Sequence, residues 1–249
     1  MFDKNNSDFQ IRLNKFDDGF YSGGTNAGLY SKIKTDLKIL EKLVQHDTFF
    51  NSAQSLALAF PDRIGKKRDG SNSKFILSSG KGAYVHKDDP LSRKKYIVAV
   101  DMDGDQKDSK IRLGIEISEN EIRELFADTI VWQETCYWST REKRVKAIRT
   151  EVLGKISLKS QAWTNPPTEK ISSAILEGIK DLGLNFGPAE EQFIARVKIG
   201  GEGYPNMEIG HLQETAKEWL TPFIKNIKTA NDWRKFDCLP ALRNLLSWK

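Results

Sequence analysis

The spacing of apolar residues changes twice along this chain, and that change limits the possible folds more than any single motif does. Leu29, Ile33, Leu37, Leu40 and Leu43 recur at threes and fours, the spacing of one helix face. From Lys74 to about Trp163 the period falls to two. The clearest stretch is Lys110 to Ser118: Ile111, Leu113, Ile115 and Ile117 point one way, Arg112, Gly114 and Glu116 the other, as a half-buried antiparallel strand requires. Helical spacing returns after Pro166, with Ile171, Ile175, Ile179 and Leu182 on one face and Gly183 placed to end that helix through an αL cap. Strands in the middle and helices at both ends read as an α+β chain in three parts: a helical-bundle segment over 1–60, an antiparallel β domain over 61–164 and a C-terminal helical bundle over 165–249.

Within that frame, a second helix covers Asn51 to Phe60 and stops before Pro61, which disfavours helical geometry in the residue preceding it. Ser118 and Glu121 form a capping-box pattern ahead of Ile122, Leu125 and Phe126, so a helix of about two turns interrupts the strands. The run Tyr96 to Val100 is apolar on both faces and belongs to a central strand, Lys95 to Met102, paired with Lys110 to Ser118. Ala83 to Val85, Ile130 to Trp132, Val145 to Ile148 and Val152 to Leu158 supply further strands. Later helices around Phe193 to Val197, Leu212 to Leu220 and Leu239 to Leu246 bury Trp219, Trp233 and Trp248 in part.

The 39 Lys and Arg against 34 Asp and Glu leave a formal charge of +5, which permits a polyanionic partner without demanding one. Cys136 and Cys238 lie far apart with no neighbouring Cys or His, so they signal neither a disulfide framework nor a zinc site; a reducing cytoplasm fits this usage. The N-terminus lacks a signal pattern, and no run approaches the roughly twenty apolar residues needed to span a bilayer, so no membrane partner is expected.

Positive charge concentrates where the β region begins. Arg63, Lys66, Lys67 and Arg68 fall in a loop just before a turn-like Asp69-Gly-Ser-Asn-Ser73, with Lys74 and Lys81 close behind. A basic loop beside short strands suits contact with the phosphates of single-stranded RNA or DNA. The bland reading is a solvated corner tied by an Asp62–Arg63 ion pair. Tyr84, Tyr137 and Trp138 are candidate base-stacking platforms, although strand aromatics are more often core.

Several separate motifs stand in one order: Leu56-Ala-Leu-Ala-Phe-Pro-Asp-Arg-Ile64, Gly80-Lys-Gly-Ala83, Asp89-Pro-Leu91, Tyr96-Ile-Val-Ala-Val-Asp-Met-Asp-Gly104, Lys110-Ile-Arg-Leu113 and Glu218-Trp-Leu-Thr-Pro-Phe223. In that order they resemble the region after the motor in bacterial HrpB-type helicases of the DEAH/RHA group. The resemblance implies an OB-like barrel in the β region. It also implies an accessory, nucleic-acid-binding role beside two RecA-like domains that use ATP and magnesium. Those cofactors belong to the full-length family, because this chain has no Gly-x-x-x-x-Gly-Lys-Ser/Thr loop and no Asp-Glu-x-His. Gly80-Lys81-Gly82 reads as a hairpin, since Phe75 stands where the first loop glycine belongs. No catalytic residue or metal ligand is expected. The chain reads as a truncated relative whose RecA-like motor is supplied in cis or in trans.

Two other readings come from different classes. Tyr96 to Gly104 resembles the first motif of haloacid-dehalogenase-like phosphatases, with Asp101 as nucleophile and Asp103 as general acid. Against it, Asp105 replaces the usual Thr and an antiparallel strand follows instead of a crossover. Alternatively, the chain is mainly a protein-docking module for a separately encoded motor. Asp101, Asp103 and Asp105 fit the start of a calcium loop, but Gln106 and Arg112 occupy its Gly and Glu positions. His46, His86 and His211 lack ligand spacing.

Overall fold

The computed structural model describes residues 6–19, 27–43, 49–104, 108–201 and 203–246. The chain divides into two units, one of residues 1–132 with 151–159, the other of residues 133–150 with 160–249. The strand-rich stretch over 61–164 holds two separate sheets, a closed five-stranded barrel and a three-stranded sheet.

The barrel strands are β1 (Ile64–Lys67), β2 (Lys74–Leu77), β3 (Gly82–Tyr84), β4 (Tyr96–Met102) and β5 (Asp108–Glu116), joined in the order β1-β2-β3-β5-β4 and closing back on β1. All pairs are antiparallel except β3 with β5. The barrel is therefore mixed, because β3 and β5 are not consecutive and meet only through a crossover. Phe75, Leu77, Ala83, Val85, Leu91, Ile97, Ala99 and Ile111 fill its interior. β4 is central as its two-faced apolar run requires: Ile97 and Ala99 face inward while Tyr96 and Val98 join an outer cluster.

That outer cluster is closed by two capped helices, α3 (Ser52–Ala59) and α4 (Glu119–Leu125). Ser118 Oγ accepts from the Glu121 N–H (3.2 Å), and Glu121 Oε2 accepts from the Ser118 N–H (2.8 Å). This is the capping box expected there. At the start of the chain, α1 (Phe9–Asp17) and α2 (Ala27–Glu41) form as helices but bury none of their residues. Ser7 anchors this segment: its N–H and Oγ both donate to Asp89 Oδ2 at 2.8 Å, and its carbonyl accepts from Gly114. Asp89, the first residue of the Asp89-Pro-Leu91 motif, thereby forms a buried clasp.

The second sheet runs β6 (Val131–Ser139), β7 (Arg144–Leu153) and β8 (Ile156–Ala162), in that order. Val152 to Leu158 is not one strand: Gly154 turns the chain at φ 57, against the Ser78 carbonyl, where a side chain would collide. In the second unit, α5 (Thr168–Leu182) buries Ile171, Ile175 and Ile179 as its spacing dictates. Gly183 ends it with φ 81, but ψ 167 lies outside the αL region. The freed carbonyl of Gly183 accepts from Trp233 Nε1 at 3.0 Å. The remaining helices are α6 (Pro188–Ile199), α7 (Ile209–Glu214), α8 (Ala216–Leu220), α9 (Ala230–Arg234) and α10 (Leu239–Arg243). They pack Trp219 and Trp233 into one core with Trp138; Trp248 lies outside the described residues. No helix among the described residues is long and apolar enough to cross a membrane.

Candidate nucleic-acid interface

The middle of the basic cluster is strand, not loop: Lys66 and Lys67 lie in β1, between the turn that holds Arg63 and the connection that holds Arg68. Lys66 pairs with Ile76 on one side and Tyr96 on the other, and Lys67 pairs with Phe75. The sequence conceals this strand because Gly65 fills its inward position. A Cβ there would press on the side chains of Leu77 (3.0 Å) and Ile97 (3.3 Å), which would have to shift to admit it, so glycine lets β1 lie close against the barrel core. Alternation then sends Lys66 to the outer face, and Arg68 opens the connection to β2.

Pairing of β1 with β4 brings in two cations that sequence proximity could not reveal. Arg93 and Lys95 precede β4, and the Lys67 N–H donates to the Lys95 carbonyl at 2.9 Å. Lys66, Lys67, Arg68, Arg93 and Lys95 line one open groove of about 320 Å³, together with Asp69, Gly70 and Ser71. Arg63 and Lys81 are not part of its lining.

The six cations named from the sequence differ in what they hold. Arg63 forms no ion pair with Asp62 among the described contacts; its Nη1 donates to the Val100 carbonyl (2.9 Å), and its guanidinium lies 4.9 Å from the centre of the Phe60 ring. Lys66 Nζ donates to the carbonyl of Ser157 (2.7 Å) and to its Oγ (3.2 Å). Arg68 and Lys74 both pair with Asp108, each at 3.2 Å. Lys81 donates to the Gly104 carbonyl at 3.1 Å. Lys67 has no side-chain partner among the described residues.

Register sets a second basic row on the outer barrel wall. Tyr84 stands opposite Lys74 on β2 and Lys110 on β5, so a half-exposed ring is flanked by two exposed amines. Trp138 is not a platform: it is 7 % exposed, its ring covers Gly178 of α5, and its Nε1 donates to Asp181 at 3.0 Å. Tyr137, its neighbour in β6, faces the other way and is exposed.

Beside the groove, Glu119 collects charge. It accepts from Lys95 (2.8 Å), Tyr96 (3.2 Å) and Arg123 (3.0 Å), and Arg123 continues to Glu151 (2.9 Å). The Lys95 hydrogen bond, helped by that of Arg123, holds the Glu119 carboxyl below its ordinary value, and the same bond raises Lys95. Burial chiefly raises the Tyr96 phenol, reinforced by the nearby Glu119 charge.

The residues proposed for other chemistries are not assembled into sites. Asp101 is exposed on β4, which runs antiparallel into β5, so it does not sit at a strand-to-helix turn as a phosphatase nucleophile must. Asp103 Oδ1 accepts from the Lys110 N–H at 2.6 Å and closes the hairpin. Gly80 and Lys81 form the β2–β3 turn through Gly80 N to Leu77 O and Leu77 N to Lys81 O, a geometry that does not cradle nucleotide phosphates. Asp105, Gln106 and His46 lie outside the described residues; His86 and His211 are exposed and in separate units. No cluster of three or more His, Cys, Asp or Glu suited to a metal occurs among the described residues.

No protein-family model matches the chain. It is 27 % identical over 206 residues to the ATP-dependent RNA helicase HrpB of Escherichia coli, an alignment that covers 79 % of this chain and 25 % of that protein. Among solved structures, E. coli DEAH/RHA helicase HrpB aligns with 98 % of this chain and 30 % of its own length, at a TM-score of 0.50 and 23 % identity. A second structure, E. coli DExH-box NTPase HrpB, aligns over the same shares at a TM-score of 0.49 and 25 % identity. The chain therefore spans about a quarter of the length of the curated relative. Its sequence is similar to the C-terminal region of HrpB-type helicases, as the ordered motifs indicated.

Proposed function

We propose, from the similarity to HrpB-type helicases and from the basic face of the barrel, that this chain is the accessory, nucleic-acid-binding part of an HrpB-like helicase. The barrel is read as OB-like. In such barrels the face of the second and third strands and the loop after the first bind oligonucleotides. Here those positions carry Lys74 and Tyr84 on the wall and Arg68 at the loop. The observation that carries the reading is the groove in which Lys66, Lys67, Arg68, Arg93 and Lys95 converge from strands distant in sequence. Single-stranded RNA or DNA binds there through phosphates, weakly, with little sequence preference. ATP and magnesium act in a RecA-like motor, in cis or in trans. The compartment is the cytoplasm.

Fluorescence anisotropy of a labelled single strand over a salt series tests this. Lys66→Glu/Lys67→Glu/Arg68→Glu is expected to abolish most binding at low salt, and a triple variant that binds as tightly as the unaltered protein removes the groove from consideration.

A second reading, docking onto a separately encoded motor, is favoured by one feature. Phe9, Leu13, Phe16, Leu29, Ile33 and Leu37 line an apolar groove of about 480 Å³ between α1 and α2, and α2 also exposes Leu40, with Leu43 exposed just beyond its end. An apolar face of this kind marks an interaction surface. Polar replacement on that face, as Ile33→Asp/Leu37→Asp, is expected to abolish co-purification with a RecA-like partner while leaving strand binding intact. Retention of the partner by that variant would count against the docking role.

A further inference from the structure

Asp108 stands where a ligand of the basic face is expected. It is the residue of β5 directly opposite Gly82 in β3, and Gly82 carries no side chain. A Cβ at Gly82 would overlap Asp108 Oδ1 and crowd Arg68 Nη2. The bare backbone therefore makes the floor of a cradle. Arg68 closes one side through Oδ1 and Lys74 the other through Oδ2, at 3.2 Å each. The cradle opens to water, since the Lys74 and Arg68 side chains are 53 % and 38 % exposed and that of Asp108 is 24 % exposed. Tyr84 and Lys110 adjoin it in register.

An aspartate carboxylate and a phosphodiester present the same features to such a cradle, one negative charge and paired oxygens that accept from Arg and Lys. We propose that Asp108 is a resident stand-in for a strand phosphate, and that single-stranded nucleic acid engages Arg68 and Lys74 only by displacing it. The inference rests on the nucleic-acid reading above and adds to it a built-in competitor that weakens binding and speeds release. The Gly80-Lys-Gly82 motif then has a physical role: its last glycine leaves room for the ion pair.

The test compares Asp108→Asn with the unaltered full chain, using a labelled poly-pyrimidine RNA in anisotropy between about 50 and 200 mM salt. Each cation that passes from carboxylate to phosphate adds about 0.7 to the slope of log K against log salt for a single strand. Release of one or both cations steepens the slope by about 0.7 to 1.4, so the affinity gain at the lower salt exceeds that at the higher roughly 3- to 7-fold. Asp108→Ser, neutral and smaller, is expected to do the same, which guards against a fault specific to one variant. Asp101→Asn removes an equal charge from an exposed position on the same barrel and is expected to change little. Lys74→Met added to Asp108→Asn is expected to return about half of the gain. If the unaltered protein binds RNA but neither Asp108 variant gains, this inference falls and the nucleic-acid reading stands. If no variant binds at any salt, both fall.

Discussion

Lys66 and Lys67 are adjacent, carry the same charge and line the same groove, yet the structure separates their roles. Lys66 Nζ is held by the Ser157 carbonyl and hydroxyl at the start of β8, whereas Lys67 has no side-chain partner among the described residues. Lys66→Met leaves a half-buried carbonyl without its donor, a loss of about 1–3 kcal/mol. For a chain of this size each kcal/mol moves the melting temperature about 2–4 °C, so a fall of roughly 2–12 °C is expected. Lys67→Met should leave stability within about 0.5 kcal/mol, as surface substitutions do. It should instead reduce the salt slope of single-strand binding by about 0.7, so that its affinity deficit shrinks roughly 2.6-fold between about 50 and 200 mM salt. Thermal melts and anisotropy on both single variants give the two readouts. If Lys66→Met melts normally, or Lys67→Met melts early with an unchanged slope, then the assignment of a structural tether to Lys66 and not to Lys67 is refuted.

Three further outcomes follow from the packing and the titrating groups. Trp138→Ala is expected to cost the second unit about 3–5 kcal/mol, and Gly178→Ala, whose Cβ would enter the Trp138 ring, about 1–3 kcal/mol; both appear as lowered melting with strand binding at the barrel unchanged. Glu119 titrates below its ordinary 4.5 when folded, because Lys95 and Arg123 donate to its carboxylate, so its contribution is complete above that value and fades as pH falls through the lower, folded one. Glu119→Gln should therefore lower stability in the neutral range, where that contribution is complete, and so flatten the acid limb below pH 4.5; an acid limb identical to the unaltered one would contradict the network. Cys238 is buried and its thiol is pushed up to about 12, so a thiol reagent at pH about 8 should modify the half-buried Cys136 first and Cys238 only on unfolding; equal rates in the native protein would show that the core of the second unit is open.

How far the fold could be read from sequence depended on whether a residue's partner lay nearby in the chain. β4, β5, α3, α4 and α5 announced themselves, because alternation, capping pairs and helical spacing are local signals. β1 did not, since Gly65 and two lysines erase the alternation; it forms because β2 and β4 pair with it on both sides. β7 and β8 blurred together until the turn at Gly154 separated them. The parallel β3–β5 pair left no mark at all. The candidate site divides the same way. Its contiguous cations could be named, whereas Arg93, Lys95, Lys110 and Asp108 arrive by strand pairing and carry no motif. The α2 stripe had the right period for a buried helix, yet Leu29, Leu40 and Leu43 remain more than half exposed, so periodicity identified the face and not its cover.

The same accounting sets how strongly the barrel can hold a strand. A cation tied to a neutral carbonyl keeps its charge, whereas one paired with a carboxylate loses most of it. Lys66 is of the first kind, Lys67 and Arg93 have no partner among the described residues, Arg68 and Lys74 share Asp108, and Lys95 is committed to Glu119. Asp69 at the groove's edge offsets one more. About three net phosphate contacts remain, and at about 0.7 each the salt slope of the unaltered protein on a single strand should be near about −2. A slope steeper than about −4 would mean that the carboxylates do not restrain these cations, and a slope near zero that no phosphate is held. A slope between those limits would describe a grip loose enough to let a strand go, as the proposed accessory role requires.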